Sequence, residues 1–330
     1  MAGSRKGPLR GLPTPPPLDD ELAALLVSLN EVYRPTITPD MIAMPRPSAL
    51  SIEDLLAGHE VSHIERTIPG PIGSPDLIVS IFRRLGHASV GPGIYHTHGG
   101  GMVRGDRFLG AEMLIEWVEL MDAVAVSVEY RLAPRSPDPA PIEDCYAGLV
   151  WTSAHALELG FDPDRLLIAG MSAGGGLAAG VALMTRDRGG PDLVGQLLMC
   201  PMVDDRNNTV SSYQVDGFGI WDRTSNDTGW DALLGDRRKT EQVSIYAAPA
   251  RARDLSRLPP AFIDVGSVEV FRDEAVAYAS AIWAAGGVAE LHVWPGAFHG
   301  FDLLAPHARL SVLARDARTK WVQRILGACS

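Results

Sequence analysis

From residue 60 onward, short apolar runs alternate with longer stretches in which apolar residues recur three or four positions apart. The runs are EVSHIERTI (60–68), LIVSIFRR (77–84), GIYHTH (93–98), AVAVSVEY (123–130), RLLIAG (165–170), GQLLMC (195–200), PAFIDVG (260–266) and AELHVWP (289–295). Their length and flanking turn residues predict strands. Between most of them, RFLGAEMLIEWVELM (107–121), EDCYAGLVWTSAHAL (143–157), GLAAGVALMTRDR (176–188) and DEAVAYASAIWAAG (273–286) carry helical spacing. Such alternation predicts the α/β class, a mainly parallel central sheet with helices on both faces. The first two strands, joined by a Gly/Pro turn, are expected as an antiparallel edge.

Two regions break this rhythm. LDDELAALLVSLNEVY (18–33) has Leu22, Leu25, Leu26 and Leu29 at helical spacing, and SIEDLLAGH (51–59) opens on a capping-box-like Ser51 and Asp54. Residues 204–250 are polar with spaced aromatics, and lie between two strands. The pattern predicts an N-terminal part of a cap (1–60), a first catalytic segment (61–203), a cap insertion (204–250) and a second catalytic segment (251–330). The two cap pieces are expected to pack together, mostly as helix, over the C-terminal edge of the sheet.

Composition narrows the picture. The 330 residues carry a net charge of −11, so phosphate repulsion argues against nucleic acid. Three cysteines, Cys145, Cys200 and Cys329, make no disulfide framework, which fits a reducing, cytoplasmic setting. The proline-rich N-terminus lacks the apolar segment of a secretory signal and reads as an extended tail. Leu166 to Thr185 is a run of twenty uncharged residues. It is rich in glycine and alanine, and a short strand followed by a helix accounts for it without a membrane.

That run contains AGMSAGGG, and Gly170-Met171-Ser172-Ala173-Gly174 fits G-x-S-x-G between a strand and a helix. Small neighbours let a serine adopt the strained turn that lifts its hydroxyl above a sheet edge, at a helix N-terminus that favours negative charge. Gly174 to Ala179 also matches the dinucleotide pattern G-x-G-x-x-A. That reading is the weaker one, because the turn follows the fifth strand and the next strand ends without a carboxylate. YHTHGGGM (95–102) supplies His98 and three glycines after a strand. Consecutive glycines can aim backbone N–H groups at one oxyanion. His96 and His98 as metal ligands have no nearby carboxylate. WPGAFHGFD places His299 on a loop after the last strand, whereas His292 lies inside that strand. FIDVGSVEVFRDE offers Asp264, Glu269, Asp273 and Glu274 as acids, giving the order Ser, acid, His.

With these stretches in hand, the chain resembles the hormone-sensitive-lipase-like bacterial esterases of the α/β-hydrolase fold. The resemblance rests on His98-Gly99-Gly100-Gly101, on Gly170-Met171-Ser172-Ala173-Gly174-Gly175, on Tyr130-Arg131-Leu132-Ala133-Pro134 and on Phe298-His299-Gly300-Phe301. It spans roughly residues 60 to 328. It implies Ser172 as nucleophile and His299 as base, with N–H groups of Gly100, Gly101 and Ala173 around the oxyanion. His98, Gly99, Gly170 and Gly174 would support the two motifs. The family's acid motif aligns with Glu269, where an aspartate is usual; Asp273 and Asp264 stand as fallbacks. Met171 occupies a position often polar in the family. Met171, Tyr213, Phe218 and Trp221 are the candidate pocket residues; with Trp230 and Tyr33, most of these aromatics are expected to anchor the cap.

The implied activity is hydrolysis of short-acyl carboxylic esters, with amides or lactones as alternative substrates of the same triad. A non-catalytic binding protein on this fold is the more distant alternative. No metal or organic cofactor is expected. The expected partner is a small-molecule ester, with no nucleic acid and no membrane, and a homodimer is left open.

Overall fold

The computed structural model describes residues 14–32, 34–44 and 51–327. Tyr33, Cys329 and the first thirteen residues of the proline-rich tail lie outside the described residues. All eight apolar runs are strands: β1 (Val61–Ile68), β2 (Leu77–Arg84), β3 (Gly91–Thr97), β4 (Val124–Glu129), β5 (Phe161–Met171), β6 (Gly195–Met199), β7 (Ala261–Val268) and β8 (Ala289–Phe298). They form one sheet in the order β1-β2-β4-β3-β5-β6-β7-β8. β2 is antiparallel to both β1 and β4, and every other pairing is parallel. Among the described residues the only reversed strand of the sheet is therefore β2, and β1 runs with the rest.

The helices are α1 (Asp20–Val32), α2 (Pro39–Ile42), α3 (Ile52–Leu56), α4 (Ala111–Met121), α5 (Ala140–Ala154), α6 (Ala156–Leu159), α7 (Ala173–Arg188), α8 (Val210–Gln214), α9 (Arg223–Leu234), α10 (Arg272–Ala284), α11 (Phe301–Leu304) and α12 (Arg309–Ile325). Central strands β3, β4 and β6 are apolar because both of their faces are covered. On one face Tyr95, Leu149, Leu183 and Tyr278 join β3 to α5, α7 and α10. On the other, Phe82, Ile115, Trp117 and Trp321 join the sheet to α4 and α12. Edge strand β1 keeps exposed positions along its middle.

The twenty-residue uncharged run resolves into the end of β5 and the buried body of α7, which closes on Arg186, Arg188 and a left-handed Gly189. Among the described residues, no helix is long and apolar enough to cross a membrane. Strand order reverses between β3 and β5, since the chain leaves β3 toward β4 and returns on its other side. In open α/β sheets the crevice beyond the carboxyl ends of strands at such a switch is where ligands bind. The loop after β3 and the turn after β5 both open there.

Residues 204–250 hold α8 and α9 and meet the N-terminal segment directly. Thr36 Oγ1 donates to Asp222, Ile37 N–H donates to Ser225 Oγ at 2.8 Å, and Gln214 Nε2 donates to the Thr14 carbonyl at 2.8 Å. α3 packs elsewhere, with Leu55 among the α4 and β1 side chains. Its Ser51 Oγ accepts from Asp54 N–H at 3.0 Å, as the capping pattern predicts. α1 lays Leu22 and Leu26 on Phe298 and Phe301.

The insertion is anchored at its base by a buried carboxyl. Glu274 Oε1 on α10 accepts from the N–H groups of Val203 (2.8 Å) and Asp204 (3.2 Å). Burial, and then the charge of Asp204, push this carboxyl well above the usual glutamate range. A raised acid keeps its proton in the native state after the unfolded chain has lost it. Its contribution is therefore full at pH below about 4.3 and declines as pH rises toward the raised native value. Glu274→Gln keeps the accepting oxygen and cannot ionise. Urea unfolding across pH 4 to 9 should show the variant gaining on the wild type as pH rises, with the two converging at the acid end.

Candidate active site

Ser172 joins β5 to α7 with φ 58° and ψ −121°, a region that L-residues rarely enter. Its N–H donates to the Met199 carbonyl at 2.8 Å, and its carbonyl accepts from Met202 N–H (2.9 Å) and Gly176 N–H (3.1 Å). The flanking glycines are steric necessities. A Cβ on Gly170 would lie 2.2 Å from the Gly174 carbonyl oxygen, and one on Gly174 would lie 2.0 Å from that of Thr97. Gly174 is thus wedged against protein backbone and offers no cradle for a phosphate. The side chain of Ser172 stands at the N-terminus of a sixteen-residue helix with no acidic residue in its first turn. That end carries the positive pole of the helix.

Two side chains from later in the chain complete a hydrogen-bonded line. His299, in the turn after β8, sets Nε2 3.0 Å from Ser172 Oγ and Nδ1 3.1 Å from Glu269 Oε1. Glu269 follows β7 directly and is buried, and its Oε2 accepts from Gly266 N–H at 2.9 Å. Phe271 packs edge-on against the His299 ring, with centroids 5.2 Å apart.

The other carboxylates serve other partners. Asp264 accepts from Trp294 Nε1 (2.9 Å) and Arg318 Nε (2.7 Å). Asp273 accepts from Ser211 N–H at 2.7 Å and pairs with Arg272. His292 sits between the Phe262 and Trp294 rings and contacts Glu290.

Among the described residues, Cys200, Glu269 and His299 bring potential ligand atoms within 4.8 Å of one another. Burial first, and Glu269 next, push the Cys200 thiol well up, so it holds its proton. Both ring nitrogens of His299 are already engaged, by Glu269 and Ser172. The group is organised as a proton-transfer line. Cys200 was not singled out in the sequence, where only its place at the end of β6 marks it. His96 is buried with Nδ1 2.9 Å from Ser127 Oγ, and burial, then His98, lower it to about 3.

The glycine loop after β3 reaches this line from the other side. Gly100 and Gly101 have φ of 117° and 63°, so the loop turns at both. His98 stacks on Tyr130 at 4.1 Å, and the Tyr130 hydroxyl donates to the His98 carbonyl at 2.8 Å. Arg131 grips buried Asp144 through Nε (2.8 Å) and a terminal nitrogen (2.6 Å). The YRLAP stretch is therefore a brace for the glycine loop. Thr97 Oγ1 adds a 2.8 Å bond to the Gly174 carbonyl, a link that nothing in the local sequence announces.

The aromatic candidates separate. Trp221 is buried with its ring packed onto Gly101, so close that a Cβ there would lie 2.1 Å from it. Phe218 is half-buried against the main core. Tyr213 is 39% exposed under the Arg223 guanidinium, on α8, and its ring is held there by that contact. Met171 is half-buried, and its Cε lies 3.6 Å from where a Cβ on Gly99 would be.

A family described by the alpha/beta hydrolase fold matches residues 94–303. Esterase LipI of Mycobacterium tuberculosis is 30% identical over 299 residues, covering 86% of this chain and 82% of that protein. Carboxylesterase NlhH of the same organism is 38% identical over 222 residues, or 66% of this chain and 69% of its own. The solved structure of a bacterial heroin esterase superposes with a TM-score of 0.84 at 34% identity, over 94% of this chain and 98% of that one. The chain belongs to the alpha/beta hydrolase family, among its hormone-sensitive-lipase-like esterases.

Proposed function

We propose that this carboxylic ester hydrolase works through an acyl-enzyme on Ser172 and prefers short acyl chains. The observation that carries the mechanism is the continuous line Ser172 Oγ, His299, Glu269, beside a loop of glycines and the first N–H of α7. Ser172 Oγ attacks the ester carbonyl while His299 Nε2 takes its proton. The carbonyl oxygen becomes an oxyanion held by N–H groups of Gly100, Gly101 and Ala173. The carbon–oxygen bond to the alcohol then breaks, and His299 returns the proton to the leaving oxygen. Water repeats the sequence on the acyl-enzyme and releases the acid. Glu269 fixes the imidazole tautomer and offsets its charge during both steps.

Short acyl chains follow from crowding. Trp221 against Gly101 and Phe271 against His299 narrow the space on either side of the serine. Residues 14–44 and 204–250, joined through Thr36 and Ile37, serve as the cap that carries Trp221.

Ser172→Ala should lower kcat on nitrophenyl acetate by about four orders of magnitude or more, and abolish labelling by a fluorophosphonate. A variant that keeps the wild-type rate overturns the mechanism. Glu269→Gln should cost roughly a thousandfold in kcat with KM little changed, while Asp273→Ala should act through thermal stability alone; the reverse pattern moves the acid to Asp273. Across a series of nitrophenyl esters, turnover should be best at roughly two to eight acyl carbons. An optimum beyond about twelve carbons, or better turnover on amides or lactones than on every ester, refutes the substrate assignment.

A further inference from the structure

Behind the nucleophile turn lies a pocket of about 170 Å³, on the face of the sheet covered by α4 and α12. Ser172, Glu269 and His299 are not among the residues that line it, and the mechanism makes no use of it. Met113, Met171, Met199, Leu303 and Pro306 supply its apolar walls. Methionine is the most adaptable of apolar side chains, and three of these five walls are methionine. A cavity of about 150 Å³ is enough to take up a benzene ring.

Met171 connects this pocket to the chemistry. Its backbone precedes Ser172, and its side chain lines the pocket. The point where Gly99 would carry a Cβ lies 3.6 Å from Met171 Cε and 3.5 Å from Ser172 Cβ. Both side chains therefore approach the start of the glycine loop. Of the residues that line the pocket, Met171 is the one bonded directly to Ser172.

The charges around the pocket select its occupant. Glu112 and Asp302 line it opposite Arg315 and Arg318. Arg318 is paired with Asp264 and Asp302, and Arg315 with Glu116. Burial pushes the Glu112 carboxyl up, and His96 is neutral. Both guanidiniums are therefore already paired, and neither is free for an anion. Two buried polar atoms at its wall have no partner among the described residues: His96 Nε2, near Gly110, and Glu112 Oε2.

We propose that this pocket is a latent acyl subsite for a neutral, mostly apolar group, an aliphatic chain or phenyl ring, and that Met171 sets the acyl-length limit by closing it. The proposal rests on the ester-hydrolase reading of Ser172. Shortening Met171 should join the pocket to the acyl position. Met171→Ala should raise kcat/KM for the decanoyl nitrophenyl ester relative to the butyryl ester by roughly tenfold or more. Adding Leu303→Trp, which fills the pocket from its far side, should cancel that gain.

A ratio within about twofold of wild type, in a Met171→Ala protein whose Ser172 still reacts with fluorophosphonate, overturns the proposal. So does a gain that Leu303→Trp leaves in place, since a merely loosened turn would behave that way. Met171→Val runs the same comparison if the alanine variant does not fold. Xenon-pressurised crystals of the wild type need no variant: a xenon site among Met113, Met199 and Leu303 is expected, and its absence at saturation counts against the subsite. No turnover on any ester, with no labelling of Ser172 in the wild type, brings down the ester reading itself and this proposal with it.

Discussion

The left-handed backbone of Ser172 is the constraint around which the molecule is organised. Such a conformation costs about 1–3 kcal/mol and persists only where its surroundings hold it. Here the hold comes from two neighbouring strands and the segment that follows one of them. β6 contributes the Met199 carbonyl, the segment after β6 contributes Met202 N–H, and β3 contributes Thr97, bonded to Gly174. Those contacts meet because β3, β5 and β6 are parallel neighbours with their carboxyl ends level. The same adjacency brings the glycine loop after β3 beside the serine. One topological decision, the reversal of strand order at β3 and β5, thus both strains the serine and places the loop that would stabilise its product.

Glu269 and His299 arrive from strands further along the sheet, and a second device keeps them in register. Arg318, buried on α12, reaches Asp264 on β7 and Asp302 on α11. Asp264 lies five residues before Glu269, and Asp302 three residues after His299. A single guanidinium therefore ties the strand that ends at the acid to the helix that begins after the base. Ion pairs this deeply buried gain little net stability, because desolvation offsets the attraction. Removing one partner is far more damaging than having neither, so the cluster acts as a constraint on position. Burial raises the Asp264 carboxyl, and Arg318 pulls against that.

How much of this the sequence disclosed depends on which residues occupy buried positions. The eight strands were legible because their core positions are Val, Ile, Leu, Ala and Phe, and periodicity reports such residues faithfully. α12 was not, although its buried positions recur at helical spacing. Those positions include Ser311, Ala314 and Arg318, so the buried stripe reads as polar or small. The same cause left Asp264 looking like a spare acid, because its partner Arg318 is fifty-four residues away. Motifs whose function is local, the serine turn and the glycine loop, could be read from their own glycines. Thr97, Cys200 and Phe271 act across the sheet, and no short pattern names the partner that each one meets. The aromatics of the insertion show the limit from another side. Trp221 and Tyr213 stand in the same polar stretch, yet one packs on Gly101 and the other lies under Arg223 at the surface.

The two departures from the family pattern have physical accounts in the structure. A glutamate in place of an aspartate reaches one methylene further, and Glu269 takes up that length by folding back over its own strand. Oε2 accepts from Gly266 N–H, three residues upstream, which leaves Oε1 for His299. The return is open because Gly266 has no side chain; a Cβ there would lie 2.3 Å from the Ala297 carbonyl oxygen and 3.2 Å from Glu269 Oε2. The carboxylate is thus fixed by both oxygens, one on its own strand and one on the imidazole. Met171 departs in the opposite sense, an apolar side chain where a polar one is usual. It faces a wall of other methionines, where an unpaired polar group would incur a desolvation cost of about 1–3 kcal/mol. Its neighbour His96 is held neutral by the same apolar surroundings. Glutamate and methionine each fit because of the residues that adjoin them: glycine beneath Glu269, and methionines behind the serine.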